Sequence, residues 1–195
     1  MSEKKLLKEG VMNFFFKKEE GRCLSNFWEC IIVVEDGDVI REYDSGESCF
    51  HGEKFIRIGE LCENEDRKRL LLEYGSRFLR GVCSKDGAVI KKMGRNFILS
   101  KEELQIWASL SIDVQKHICK YKYDNYEEVR DELVKSKDKV LIHPAMRCSE
   151  EKVMSRLWEG KAFIVDGNIE VIGGNLLGRI SVSYTHLTLP TILRV

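Results

Sequence analysis

The sequence lacks an excess of charge of either sign, which argues against a chain that binds polyanions through its overall charge. Lysine plus arginine and aspartate plus glutamate both number 32 among 195 residues, so the formal net charge is +0. Non-specific attraction to nucleic acid rests on a surplus of cations. A local basic patch remains compatible with this balance.

Paired cysteine motifs are also missing. The seven cysteines form no C-x-x-C pair and have no accompanying histidine cluster. An odd number at irregular spacing indicates neither a disulfide framework nor a zinc site. We therefore expect reduced thiols, no metal centre and no cofactor.

No long apolar run is present, and the N-terminal residues Met1 to Lys5 are mostly charged or polar. These features predict neither a signal peptide nor a membrane span, and so a cytoplasmic location. Internal repeats and low-complexity linkers are absent as well. The length and a hydrophobic content of 43% suit one compact domain.

Strand-like and helical patterns alternate irregularly and do not form regular βαβ units, which predicts a single compact α+β domain. Alternating apolar runs, with Asp-Gly turns at 36–37 and 166–167, predict strands at 11–16, 28–34, 39–43 and 140–142. Amphipathic spacing and capping residues predict helices at 64–80, 101–121, 126–135 and 149–158.

Two details of the helix at 101–121 can be read from its sequence. Ser100 and Glu103 have the spacing of a capping box at its start. Its apolar stripe is predicted to face the core, and it comprises Leu104, Trp107, Leu110, Val114 and Ile118.

The stretch from Ser45 to Phe55 combines an acid, an aromatic ring and an amine at helical intervals. Residues three, four and seven apart lie over one another on a helix, so Glu47, Phe50 and Lys54 are expected to share a face. Such a face can hold a reactive carboxylate. The alternative is an ordinary carboxylate–lysine pair on a partly buried helix.

Three further motifs have a functional and a structural interpretation each. In Leu24-Ser25-Asn26-Phe27-Trp28, the polar pair serves either as a binding loop or as a cap or turn. In Met93-Gly94-Arg95, the arginine either binds a phosphate or lies on the surface. In Ile172-Gly173-Gly174-Asn175, the glycines allow close approach to a ligand or simply form a turn. His117 is interpreted as a structural or surface histidine, and His143 either as a site residue or as a hydrogen-bonded structural histidine.

Taken in order, LSNFW, SxExxFxxxKF, GR, a Trp-bearing helix and GxNxLG resemble the NADAR or YbiA-like superfamily, from about Asn13 to Ile180. The resemblance implies a YbiA-like α+β domain over residues 1–180 and N-glycosidase activity. The substrates it implies are ribosylated intermediates of riboflavin synthesis or ADP-ribose attached to a nucleobase. A nucleotide-like or ADP-ribosylated molecule is thus the expected partner, with modified nucleic acid as one form of it and no membrane.

The resemblance also implies roles for particular residues. Glu47 is expected to stabilise an oxocarbenium-like transition state and to activate water, while Lys54 keeps Glu47 charged or binds a substrate oxygen. The substrate-binding set comprises Ser25, Asn26, Phe27, Phe50, Arg95, Trp107, Trp158 and Asn175. We expect these side chains, with Glu47 and Lys54, to converge on one cleft.

The leaving-group acid and the substrate each have more than one interpretation. The acid for the leaving group is either Glu159 or Asp166, chosen by position alone, or none is needed. Where the family usually has Trp-Gly-x-Gly, this chain has Trp158-Glu159-Gly160-Lys161, so the substrate is open between an ADP-ribosylated or ribosyl-phosphate base and a riboflavin-pathway intermediate. A non-catalytic ADP-ribose-binding module, or a protein that only interacts with others, is the remaining alternative.

The segment 181–195 departs from the family pattern. Val182 to Thr191 reads VSYTHLTLPT, which resembles a translated sequencing-library adapter, while a native strand is the alternative. We therefore expect 181–195 to be a non-native tail that packs poorly, and assign no function to His186.

Overall fold

The computed structural model describes residues 3–15 and 19–185, and it combines helices with three two-stranded sheets. The predicted α+β class is confirmed. Contacts group the chain into two compact units. The central unit is Asn26–Lys122, and the terminal unit is Met1–Ser25 with Tyr123–Val195. Along the described ranges, no helix has both the length and the apolar character needed to cross a bilayer.

The central unit joins an antiparallel hairpin to helices. Its elements are β2 (Glu29–Asp36), β3 (Val39–Ser45), α2 (Gly46–Glu60), α3 (Glu65–Ser76), α4 (Gly87–Asn96) and α5 (Lys101–Asn125), the last three residues of α5 belonging to the terminal unit. Asp36 pairs with Val39, and Gly37 turns the chain at a φ of 59°, a conformation that glycine adopts without a Cβ clash. The predicted Asp-Gly hairpin is confirmed.

The terminal unit contains the remaining elements. They are α1 (Glu3–Gly10), β1 (Val11–Asn13), α6 (Glu127–Lys135), β4 (Val140–Ile142), α7 (Glu150–Met154), β5 (Lys161–Val165), β6 (Asn168–Ile172) and α8 (Leu176–Thr185). Strand β1 pairs with β4 in parallel, and β5 pairs with β6 across the Asp166-Gly167 turn. Both turn residues have positive φ, as an Asp-Gly hairpin turn requires. The predicted strand at 140–142 and helix at 126–135 are confirmed.

Several predicted boundaries were wrong. Helix α3 ends at Ser76 and does not reach Arg80, because the Arg80 N–H bonds to the Glu42 carbonyl in β3. Helix α7 ends at Met154 and leaves Trp158 in a loop, because carbonyls of 156, 157 and 159 accept N–H groups from 174–176. Strand β1 is shorter than predicted, and Phe16 lies outside the described residues.

Three α-helices were not predicted, α1, α4 and α8. Helix α4 begins where Asp86 caps the N–H groups of Ala88 and Val89 at 2.7 and 3.4 Å. The capping box at the start of α5 is confirmed, since Ser100 N bonds to Glu103 Oε2 and Glu103 N bonds to Ser100 Oγ.

The core stripe predicted for α5 is only partly correct. Val114 and Ile118 are buried, but Leu104 is 52% exposed and Trp107 is half-buried. The first turns of α5 are held by another contact, a two-pronged ion pair from Arg67 of α3 to Glu103 at 2.7 and 2.8 Å. The predicted stripe is therefore buried in the later turns of α5, at Val114 and Ile118, and is exposed in its first turn, at Leu104.

The prediction that the segment from Ser181 packs poorly is wrong for its first residues. Ser181 is buried within α8 and its hydroxyl donates to the Leu177 carbonyl at 2.9 Å. Tyr184 packs its ring 5.6 Å from that of Tyr123. His186, Leu187 and Leu189 lie outside the described residues, and the adapter origin stays a prediction.

The buried carboxylate of Glu53 joins helix α2 to strand β3 by hydrogen bonds. The Glu53 side chain is 1% exposed, and it accepts hydrogen bonds from Arg41, Tyr43 and Arg57 at 2.7 to 2.8 Å. Burial alone would lower the pKa of Arg41, but the hydrogen bond and charge of Glu53 outweigh that effect and raise it. Burial, and then the charge of Glu53, raise the pKa of Tyr43. Arg41 and Tyr43 therefore stay protonated and keep the carboxylate paired.

Substituting Glu53→Ala should lower the free energy of unfolding by about 3–5 kcal/mol, because it leaves a buried Arg41 without its partner. Urea unfolding measures the change. Glu73→Ala serves as the control, since its 3.3 Å pair with Arg77 is exposed and should change stability by less than about 0.5 kcal/mol. Equal small effects in both variants would show that the Glu53 cluster does not hold α2.

Candidate active site

The candidate site is built on the first turns of α2. Ser45 caps the helix, and its hydroxyl accepts the Ser48 N–H while the Ser48 hydroxyl accepts the Ser45 N–H, both at 3.1 Å. The cap starts the helix one residue before Glu47. The helical spacing predicted for Glu47, Phe50 and Lys54 is thus confirmed.

Glu47 is 8% exposed, and its backbone N–H donates to the Asn26 carbonyl at 2.8 Å. Its carboxylate Oε1 lies 3.3 Å from Nε2 of His51, one turn further along α2. Over the part of the chain that is described, the carboxylate forms no ion pair with a lysine or arginine. The ordinary Glu47–Lys54 pair, the alternative interpretation of this helix, is not observed.

Lys54 is equally buried, but its amine donates to the Gly94 carbonyl near the end of α4. The last carbonyls of a helix lack intrahelical partners, so the amine satisfies one of them and its charge complements the helix dipole. Burial and then the charge of Arg95 lower the pKa of Lys54 to about 8, against the opposing effect of Glu47. The Lys54 charge is thus sensitive to mildly alkaline pH.

The remaining predicted residues of the central unit surround this helix. Asn26 forms a reciprocal amide pair with Gln115 of α5, at 2.8 and 3.1 Å. Phe50 meets Trp107 edge to face at a ring distance of 4.9 Å, and both rings are half-buried. Phe27 packs on Gly87 at the start of α4, where an added Cβ would lie 2.6 Å from its ring. These contacts give each residue a fixed position, and both ends of the Asn26 amide are hydrogen-bonded to Gln115.

Arg95 lies on the last turn of α4 and is exposed. No acidic side chain within 3–15 or 19–185 pairs with it, although its charge acts on Lys54. The close approach predicted at Gly94 is real but is made to protein, since a Cβ there would lie 2.2 Å from Nδ1 of His51. The glycine therefore allows α4 to pack on α2.

Three predicted site residues belong to the terminal unit. Ser25 is buried, and its N–H closes a short 3-10 turn over Arg22–Leu24. Trp158 is half-buried in the loop after α7. Asn175 is buried, and its side chain bonds the Leu141 carbonyl in β4 and the N–H of His143, the residue after β4, at 2.8 and 3.0 Å. Convergence of these three with Glu47 stays a prediction.

A cavity of about 590 Å³ lies within the terminal unit. Its lining comprises Lys139, Val140, Leu141, Val171, Gly173, Gly174, Asn175, Gly178, Arg179 and Val182. The glycine pair lines this cavity. An added Cβ would lie 2.7 Å from the Glu159 carbonyl at Gly173 and 2.3 Å from the Leu157 carbonyl at Gly174, so the close approach that these glycines allow is made to protein. The Asn175 amide is likewise used by the backbone of 141 and 143. Ligand binding through Asn175 stays a prediction.

The two proposed leaving-group acids also lie in the terminal unit. Glu159 forms a 3.0 Å pair with Arg156, and Asp166 is exposed on the β5–β6 turn. Either role stays a prediction. The other two histidines of interest make structural contacts, since His117 bonds to the Val33 carbonyl at 2.8 Å and the His143 ring packs on Phe14. A role for His143 at the site stays a prediction.

Sequence reasoning missed three residues at the site. His51 follows Glu47 by four positions, so its contact could have been predicted from helical spacing. Glu53 was hidden because a carboxylate on a helix is usually exposed. Gln115 carries no local signal, since its partner Asn26 lies 89 residues away. No group of three or more His, Cys, Asp or Glu within the described ranges is arranged to hold a metal ion.

Comparison with solved structures assigns the fold. The chain is similar to the NMR structure of the Escherichia coli protein YbiA, with a TM-score of 0.54 and 20% sequence identity, over 92% of this chain and 84% of that one. The fold is YbiA-like. No family model and no curated protein matches the sequence. The YbiA-like fold implied by the motif order is therefore confirmed.

The lowered pKa of Lys54 predicts an unusual dependence of stability on pH. Between about pH 8 and pH 10.5 the unfolded chain keeps the Lys54 proton that the folded chain has lost. Rising pH should therefore increase the free energy of unfolding of the wild type relative to that of Lys54→Met. The relative gain should be on the order of 3 kcal/mol across this window. Urea unfolding at several pH values measures it, and exposed Lys92→Met is the control. A parallel response in wild type and Lys54→Met would contradict the assignment.

Proposed function

We propose that this protein is an N-glycosidase that hydrolyses a ribose C1′–nitrogen bond, removing ADP-ribose or a ribosyl phosphate from a base. The observation that carries the proposal is the buried Glu47 carboxylate, which forms no ion pair with a lysine or arginine of the described chain. The motif order shared with the NADAR superfamily supports the same chemistry, and so does the YbiA-like fold.

The chemistry requires a negative charge beside the anomeric carbon. Breaking a C1′–N bond passes through an oxocarbenium-like transition state whose positive charge lies on the sugar ring. A carboxylate fixed in a site of low water content stabilises that charge strongly, and it can accept a proton from the attacking water. An ion pair with a cation would offset this effect. Glu47 forms no such ion pair with a lysine or arginine of the described chain, and its near neighbour is an imidazole.

The surroundings of Glu47 favour a substrate with a flat base and a phosphate. Phe50 and Trp107 offer half-buried aromatic surface, on which any nucleobase can stack. Arg95 is exposed and has no acidic partner in the described ranges, and its guanidinium suits two-pronged binding of phosphate. By contrast, the structural arginines Arg41 and Arg67 each pair with a carboxylate, that of Glu53 or Glu103.

A substrate panel distinguishes the candidate activities. The protein is incubated with an ADP-ribosylated base, an ADP-ribosylated oligonucleotide and a phosphoribosylamino-pyrimidine, and released base is quantified by chromatography. Release from the first two supports the leading assignment. Release from the third alone makes the protein a riboflavin-pathway N-glycosidase. Saturable binding of ADP-ribose without release makes it a non-catalytic binding module.

Substituting Glu47→Gln should reduce the rate of base release by on the order of 10²- to 10³-fold while affinity for substrate changes little. The amide keeps the size and some hydrogen bonding but lacks the negative charge. Single-turnover rates and equilibrium binding measure the two effects separately. Exposed Glu73→Gln is the control for a general effect of losing one carboxylate. Base release at the parental rate, in a variant of equal stability, would remove Glu47 from the mechanism.

A further inference from the structure

We propose that His51 is a positioning residue for Glu47, one that donates its Nε2–H to the carboxylate and fixes which oxygen faces the sugar. This inference rests on the proposed function and extends it by one residue. The Nε2 atom lies 3.3 Å from Oε1 of Glu47, and both side chains are about one-tenth exposed. The pair spans one turn of a capped helix, so backbone and side chains fix its geometry together.

The tautomer of His51 follows from the packing of its other nitrogen. Nδ1 is buried and has no hydrogen-bond partner in the described structure. Gly94 of α4 packs directly against it, and an added Cβ would lie 2.2 Å away. A proton on Nδ1 would be an unpaired buried donor, which costs about 1–3 kcal/mol. The proton of the neutral ring therefore resides on Nε2, where Glu47 accepts it.

Burial favours the neutral form of the His51 imidazole. Burial comes first among the causes that lower the pKa of His51, and the cations Lys54 of α2 and Lys91 of α4 add to it. Glu47 opposes them. The remaining neighbours are aromatic, since Phe50 and Phe78 each lie 5.9 Å away between ring centres. His51 is thus a neutral donor and does not neutralise Glu47 as a cation would.

A neutral donor at this position has a defined consequence for Glu47. The hydrogen bond occupies Oε1 and prevents the carboxylate from rotating freely about its last torsion angle. Oε2 is then left to approach the anomeric carbon or the attacking water. Holding a reacting group in its productive orientation contributes to rate and not to substrate affinity.

Two substitutions separate this role from simple packing. His51→Leu fills the space but has no donor, whereas the amide of His51→Gln can donate to Glu47 from a position close to that of Nε2. We expect His51→Leu to lower kcat by about tenfold or more with KM nearly unchanged, and His51→Gln to recover most of the loss. His117→Gln, at a histidine bonded to the Val33 carbonyl, is the matched control. Unchanged kcat in His51→Leu, or equal losses in Leu and Gln variants that remain folded, would overturn the proposal.

A second measurement does not depend on turnover. In protein labelled with 15N-histidine, the His51 signal is assigned by its loss in His51→Gln, and its shifts should show a protonated Nε2 and a bare Nδ1 at neutral pH. Glu47→Gln should shift the Nε2–H signal, and Glu73→Gln should not. If no substrate releases base, the proposed function fails and this signal alone decides the contact. A protonated Nδ1, or no response to Glu47→Gln, would overturn the contact even in an active enzyme.

Discussion

The buried carboxylate of Glu53 is the contact on which the geometry of the candidate site depends. It binds two residues of β3, Arg41 and Tyr43, and one residue of its own helix, Arg57. Because a buried charge is tolerated only when its partners are in place, α2 can occupy only one position on the hairpin. The Ser45 cap then starts the helix at a fixed residue. Together these two contacts set where Glu47 and His51 project.

The features that could be predicted from the sequence are those with a local physical cause. The Asp166-Gly167 turn, the Ser100–Glu103 capping box and the strand before Pro144 each depend on residues a few positions apart. Helix α4 shows the limit, because its short apolar pattern GAVIKKMGRN begins with one glycine and is interrupted by another, Gly94. Its Asp86 cap was a usable signal. The early end of α7 had no local signal, since the competing hydrogen bonds come from 174–176.

The candidate site divides in the same way. Helical spacing predicted that Glu47, Phe50 and Lys54 lie on one helix, and the same rule applied to His51 would have found its contact. The destination of the Lys54 amine could not be predicted, because Gly94 lies 40 residues away. The amide pair between Asn26 and Gln115 is equally remote in sequence. Long-range partners thus determine whether a polar residue is available to a ligand, and the motif alone does not.

The proposed hydrolysis requires water to attack C1′ of a ribosyl substrate at the site of Glu47. The most direct test is hydrolysis of an ADP-ribosylated base in water enriched in 18O, followed by mass analysis of both products. The account predicts that the ribose-containing product carries the label and that the base is released unlabelled. Label in the base, or intact substrate after incubation with folded protein, would contradict it.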